Sequence, residues 1–319
     1  MPLLVLASAA ESVDWQIIFL QQCLNGISFG ALIALIALGY TMVYGIIGLI
    51  NFAHGDLFML GAFLAWTLVG WLKLEDAGTL ATVGGIALLL VVVPIFCAGL
   101  NWTVDRLVYK PLRNAPKLAP LVSAIGVSFV FMNIGEFWGG ESDRAFPSLV
   151  STRNLLGEDT QLYFSGESLL LIAVVVPIML ALTYLVKRTQ LGRAMRATAQ
   201  NATAARLMGI NVDRVIGGTF LIGGALAGVA SVIYGLYIHS VNFQMGYKNG
   251  LYAFTAAVLG GIGNIPGAVL GGLLLGMIGA LSRGYISEHW GDGIIFGILI
   301  LILVFRPTGL LGERTGEKV

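Results

Sequence analysis

Charge is scarce in this sequence. Of its 319 residues only 11% are charged, 57% are hydrophobic, and the mean hydropathy is +0.87. A soluble domain carries about 25% charged residues, so a water-facing surface cannot be assembled from this composition. Soluble-enzyme classes are set aside on that ground. Cysteine is nearly absent too. Cys23 and Cys97 both lie in apolar stretches, which argues against a disulfide framework or a zinc site. The net charge of +1 gives no basic field for nucleic acid. G-x-x-x-x-G-K-[ST], H-E-x-x-H and C-x-x-C are all missing, and no catalytic or metal-ligating residue is nominated. Gly261 and Gly263 resemble the start of a dinucleotide fingerprint, but Pro266 falls on its last glycine and no soluble βαβ unit surrounds it.

Long apolar runs are what the sequence does have. They cover Ile17 to Gly39, Asn51 to Leu72, Leu80 to Leu100, Leu118 to Trp138, Leu169 to Val186, Val215 to Ile238, Leu251 to Leu281 and Gly293 to Phe305. Most can cross a hydrocarbon core of about 30 Å. The expectation is an all-α, polytopic membrane bundle forming one transmembrane domain over 1–319, with about eight to ten membrane segments. The run from Leu251 to Leu281 is too long for one straight span and holds Pro266 among glycines. It reads as a broken or re-entrant element followed by a span. Met1 to Ala10 has no basic n-region and a very short apolar core, so it is not read as a cleaved signal.

Basic residues orient the bundle. Thirteen of the 18 lysines and arginines lie in Asn101 to Lys117, Lys187 to Arg214 and the tail from Arg306. Those three segments are expected on the cytoplasmic side. Gly139 to Glu167 holds five acids and two arginines and is expected outside. The N-terminal end, with Glu11 and Asp14, is expected outside if Tyr40 to Ile50 does not add a crossing.

The 43 glycines are about twice the usual ~7% share. Gly26/Gly30, Gly224/Gly228, Gly267/Gly271 and Gly272/Gly276 are each four apart, the spacing that lets helix backbones approach. Gly45 to Gly61 and Gly260 to Gly276 are both glycine-interrupted apolar segments, one in each half. Such pairs point to a repeat-built transporter, or simply to glycine-rich packing in both halves. Asn51, His54 and Asp56 in NFAHGD, together with Asn133, Gly263, Asn264 and Pro266, are candidates for a pathway lining or a helix break. Ionisable groups in hydrocarbon cost at least ~2.5 kcal/mol, so they face a cavity or a partner. For His54 and Asp56 the structural reading is favoured, a capping or interhelical pair, with Asp56 at a half-helix N-terminus. Glu136 lies near the outer interface.

The loop from Lys187 to Arg214 has two readings. Ala194 to Met208 has helix-forming composition, with Gly209 suited to its C-terminus. It could dock on a cytoplasmic partner or lie on the lipid. Composition alone favours the lipid-facing loop that sets topology.

Taken together, these residues resemble the LivH-type permeases of high-affinity branched-chain amino-acid ABC importers. The resemblance covers nearly the whole chain. It is strongest at ALIALGYTMVYGIIGLINFAHGD (Ala34 to Asp56), VYKPLRNAPKLAPLVSAIG (Val108 to Gly126), LGRAMRA (Leu191 to Ala197), ARLMGINVDRV (Ala205 to Val215), AFTAAVLGGIGNIPGAVLGG (Ala253 to Gly272) and RPTGLLG (Arg306 to Gly312). The resemblance implies a second, homologous permease of LivM type, two ATPase subunits that use ATP, and a periplasmic binding protein. No cofactor is implied for this chain, and its membrane-facing partner is lipid. It also reverses the reading of the basic loop. Ala204, Ala205 and Gly209 match the A-A-x-x-x-G part of the family's coupling element, while Thr203 stands where glutamate is expected. Arg193, Arg196, Ala204, Ala205, Arg206, Leu207, Met208, Gly209 and Ile210 thereby become the coupling candidates. Urea, short amides and other amino acids are the alternative substrates, and an ion-coupled secondary transporter is the alternative class.

Overall fold

Runs of Leu, Ile, Val and Ala without interior charge can satisfy their backbone in a bilayer only by coiling into helices. The computed structural model describes residues 15–49, 51–113, 115–116, 118–157, 160–306 and 308–312. In chain order its helices are α1 (Trp15–Ile47), α2 (Ala53–Trp71), α3 (Thr79–Val104), α4 (Leu118–Gly139), α5 (Gly166–Arg188), α6 (Gln190–Gln200), α7 (Ala202–Leu207), α8 (Val212–Ile238), α9 (Met245–Gly260), α10 (Ile265–Tyr285) and α11 (Gly291–Phe305). Among the described residues, 8 helical stretches are long and apolar enough to cross a membrane. At 16 residues α9 is shorter, about 24 Å at 1.5 Å per residue.

With α9 as a further pass, alternation puts the α3–α4 segment, the α5–α8 segment and the tail after α11 on one side. That is the basic, cytoplasmic side. The start of α1 lies on the other. There Gln21 Nε2 donates to the Tyr163 carbonyl (3.0 Å) and the Tyr163 amide donates to Gln21 Oε1 (2.7 Å), tying α1 to the acidic loop. A short antiparallel pair, β1 (Arg144–Ala145) with β2 (Ser240–Val241), joins that loop to the end of α8. Met1 to Ala10, Glu11, Asp14, Ile50, Lys117, Arg314 and Lys318 lie outside the described residues.

The packing centre is α1. Leu32 through Leu38 are all at 0% exposure, so this middle stretch of the helix is enclosed on every side. Its small residues meet those of α10. A Cβ added to Gly30 would stand 2.8 Å from the Gly272 carbonyl, and one on Gly276 would strike the Gly30 backbone. Gly224 and Gly228 of α8 press on Ala98 and Pro94 of α3, and Gly267 and Gly271 of α10 press on Gly260 and Ala256 of α9. All four glycine pairs thus sit at close helix contacts.

Three boundaries differ from the sequence expectation. Tyr40 to Ile47 adds no crossing but prolongs α1 to 33 residues, which leaves the start of α1 on the outer side. Asn101 does not open a loop. The helix runs on through Val104 into a wider turn, Asp105–Tyr109, because its polar groups find partners inside the protein. Ala194 to Met208 is not one helix. It breaks at Asn201, whose extended backbone ends α6 and whose side chain caps α7. The expected break between Leu251 and Leu281 is present, at 261–264.

Candidate functional site

The two glycine-interrupted segments both form a helix, a short turn and a second helix. Gly48 and Asn51 frame the first turn, Gly261 and Asn264 the second, in the same G-x-x-N spacing. Both glycines are left-handed, with φ of +70° and +105°. The breaks also touch, since a Cβ on Gly45 would stand 3.1 Å from Gly263 Cα. Sequence-paired elements are therefore neighbours in space.

At the second break Asn264 is an N-cap. Its Oδ1 accepts from the Gly267 amide at 3.0 Å. Pro266 sits in the first turn of α10, where a missing N–H is harmless. The tail docks here as well. The Leu310 and Leu311 amides donate to the Leu259 and Gly260 carbonyls at 2.9 and 3.0 Å, and Asn264 Nδ2 donates to the Leu311 carbonyl at 2.8 Å. Orphan carbonyls at the end of α9 are satisfied this way.

At the first break the asparagine turns inward instead. Asn51 Nδ2 donates to Asn101 Oδ1 (3.2 Å), the Tyr109 hydroxyl donates to Asn51 Oδ1 (3.2 Å), and Asn101 Nδ2 donates to the Phe220 carbonyl (2.7 Å). Asn51, Asn101 and Tyr109 are all buried. Nearby, the His54 ring lies edge-on to Tyr40 with centroids 4.7 Å apart. Asp56 sits in the first turn of α2, as expected, and accepts from the Ser128 hydroxyl halfway along α4. His54 and Asp56 do not form the expected pair. The helix sends His54 toward α1 and Asp56 toward α4 and α9, where Gly246 leaves room for it. Asn133 stays apart from this group. It is exposed on α4 beside Phe129, Val130, Ile134 and Phe137, and its amide donates to its own helix at the Phe129 carbonyl.

Asn101 and Tyr109 escaped the sequence reading. A signal was present: Leu89, Val93, Cys97, Asn101 and Asp105 recur every four residues, and all are buried. That spacing marks one continuing helix face.

On the cytoplasmic side, α6 buries Gly192, Met195 and Thr198 and exposes Arg193. Arg196 donates to the Val186 carbonyl, fastening α6 to the end of α5. In α7, Asn201 Oδ1 accepts from the Ala204 amide at 2.9 Å. Ala205 is buried, whereas Ala204 and Arg206 are exposed. Gly209 closes α7 in the left-handed region at φ +81°. Its amide donates to the Arg206 carbonyl and the Ile210 amide to the Ala205 carbonyl, both at 3.0 Å, the paired pattern of a Schellman stop. Leu207 and Met208 stand at the tip, 85% and 82% exposed. Two large apolar side chains held out on a capped turn suit a protein partner.

Comparison with known proteins agrees with this architecture. A family described as "Branched-chain amino acid transport system / permease component" matches residues 22–304. The chain is 43% identical over 305 residues to the high-affinity branched-chain amino acid transport system permease protein LivH of Escherichia coli, covering 94% of this chain and 98% of that protein. It is 43% identical over 306 residues to the corresponding permease BraD of Pseudomonas aeruginosa, with the same coverage, 94% and 98%. A shorter match, 32% over 135 residues, covers 40% of this chain and 38% of LsrC, an autoinducer 2 import system permease of Yersinia pestis. No solved structure matches. With nearly full-length coverage and a bundle of apolar spans, the chain belongs to the branched-chain amino-acid transport permease family and is a multi-pass protein of the inner membrane.

Proposed function

We propose that this chain is one permease of an ABC importer and passes leucine, isoleucine and valine inward across the membrane. The names of its E. coli and P. aeruginosa relatives support the substrate class. Its partners in this reading are a second permease of LivM type, two ATPase subunits and a periplasmic binding protein. The chain itself catalyses no reaction and binds no cofactor, and ATP is used by the ATPases. All of 1–319 acts as one transmembrane domain, with 187–214 as its coupling segment.

The observation that carries this reading is the tip at Leu207 and Met208, held out on the basic side by two capped helices. Closure of the ATPase pair pushes on that tip. The tip cannot yield by fraying, because Gly209 and Ile210 lock the end of α7 and Arg196 ties α6 to α5. Displacement therefore enters α5 and α8 as a rigid-body motion. Gly224 and Gly228 of α8 bear directly on α3, and α3 carries the asparagine network of the first break. Asn51, His54 and Asp56 at the first break form the hinge, and Gly263, Asn264 and Pro266 hold the second break as its fixed counterpart. Asn133, an amide on an otherwise apolar exposed stripe, faces the pathway between the two permeases. Arg193 and Arg206 supply charge for the ATPase surface, while Leu207 and Met208 supply its apolar anchor.

The test is reconstitution of the four kinds of subunit in vesicles. Leucine, isoleucine and valine should enter in an ATP-dependent, saturable manner, and urea should not. Leu207→Asp with Met208→Asp should weaken ATPase retention about 30-fold, as loss of a ~2 kcal/mol anchor requires, and abolish uptake while insertion stays normal. Solute accumulation by this permease without any ATPase would overturn the proposal.

A further inference from the structure

Arginines that merely set topology point into headgroups, but Arg113 does not. Its side chain is only 13% exposed, and it bridges two carboxylates from different helices. Nη2 donates to Asp105 Oδ1 at 2.6 Å, and Nη1 donates to Asp213 Oδ1 at 2.5 Å. Lys110 Nζ meets Asp213 Oδ2 at 3.3 Å. Asp105 is buried, at 1% exposure, and stands against Gly217 of α8.

The positions of these groups matter more than their number. Asp213 lies in the first turn of α8, four residues after Gly209, and Asn211 caps that turn by accepting from the Arg214 amide at 3.0 Å. Asp105 opens the wide turn at the end of α3, where the Lys110 amide donates back to the Asp105 carbonyl at 2.7 Å. Tyr109, in that same turn, donates to Asn51 at the first helix break. From the α7 tip the chain itself leads through residues 210–212 to Asp213, and named bonds then run through Arg113 and the Asp105–Tyr109 turn to Asn51. Wide turns of this kind recur at functional positions.

We propose that Arg113 is a positioning residue for coupling. It locks the root of α8 to the end of α3, so that force entering beside Met208 moves the first break rather than bending the α7–α8 turn. The joint stays closed throughout the cycle. This inference rests on the α6–α7 segment being the ATPase contact. If that reading fails, the Leu207/Met208 variant keeps its ATPases. If only the joint fails, the ATPases stay bound and coupling is unchanged.

The experiment uses the complete importer, with ATPases and binding protein, in vesicles, and reads leucine moved per ATP hydrolysed. Arg113→Gln alone strands the buried Asp105 carboxylate, so the informative variants are Asp213→Asn and Arg113→Gln combined with Asp105→Asn. Both should retain the ATPases and hydrolyse ATP, yet move about tenfold less leucine per ATP, within the span seen for residues along a coupling path. A Lys110→Cys, Asp213→Cys protein should show the same loss. A short bis-maleimide bridging the two cysteines should restore the ratio, and N-ethylmaleimide should not. An unchanged ratio in the neutralised variants would overturn the proposal, and so would failure of the bridge to restore transport.

Discussion

The α1–α2 and α9–α10 breaks share a G-x-x-N frame and touch at Gly45 and Gly263, yet they are held by different means. At the second, Asn264 caps its own helix, and the exposed carbonyls of α9 are covered by the Leu310–Leu311 backbone. At the first, Asn51 leaves its helix uncapped and spends its side chain on Asn101 and Tyr109. One break is stabilised locally, the other by groups on α3 and α8. A break held by distant helices responds when those helices move, whereas a self-capped break does not. The first is accordingly the hinge that senses coupling, and the second is its fixed counterpart.

Separating the breaks should have the largest effect. Gly276→Leu drives a side chain into the Gly30 backbone and pushes α10 off α1. Loss of about 3 kcal/mol is expected, at the upper end of overpacking, seen as a lower midpoint of thermal unfolding in detergent. Next comes the first break alone. Asn101→Leu leaves the Asn51 amide and the Phe220 carbonyl without their partner, a loss of about 2 kcal/mol in the same assay. Adding Asn51→Leu should cost less than the sum of the single changes, because the two side chains share one network. The smallest effect belongs to the second break. Asn264→Ala removes a cap worth about 1 kcal/mol and should raise hydrogen exchange at the Leu310 and Leu311 amides with little change in transport. Equal transport defects from Asn101→Leu and Asn264→Ala would erase the distinction between the breaks.

The spans were legible because each is a long apolar run, and the second break because Pro266 and its glycines interrupt one. Glycine pairs four apart also showed their packing role. The end of α3 was not legible. Asn101, Asp105 and Arg106 read as loop residues by polarity, and only Phe220, Asn51 and Arg113, distant in sequence, make burial of Asn101 and Asp105 tolerable. Tyr40 to Ile47 was equally ambiguous. Nothing local says whether a polar-tinged apolar run prolongs a helix or begins another. At the coupling segment, helix and stop were readable from Ala204 to Gly209, but the interruption depended on one asparagine, Asn201, acting as a cap rather than as a helix interior residue.

The α1–α10 contact has a consequence for biogenesis. Gly30 and Gly272 are 242 positions apart. At a synthesis rate of about 5–20 residues per second, the first helix waits roughly 12–50 seconds in the bilayer before its partner is made. During that interval its small-residue face meets only lipid, which its apolar sequence tolerates. The bundle therefore closes around its oldest element last, and an early span must be able to stand alone long before it is enclosed.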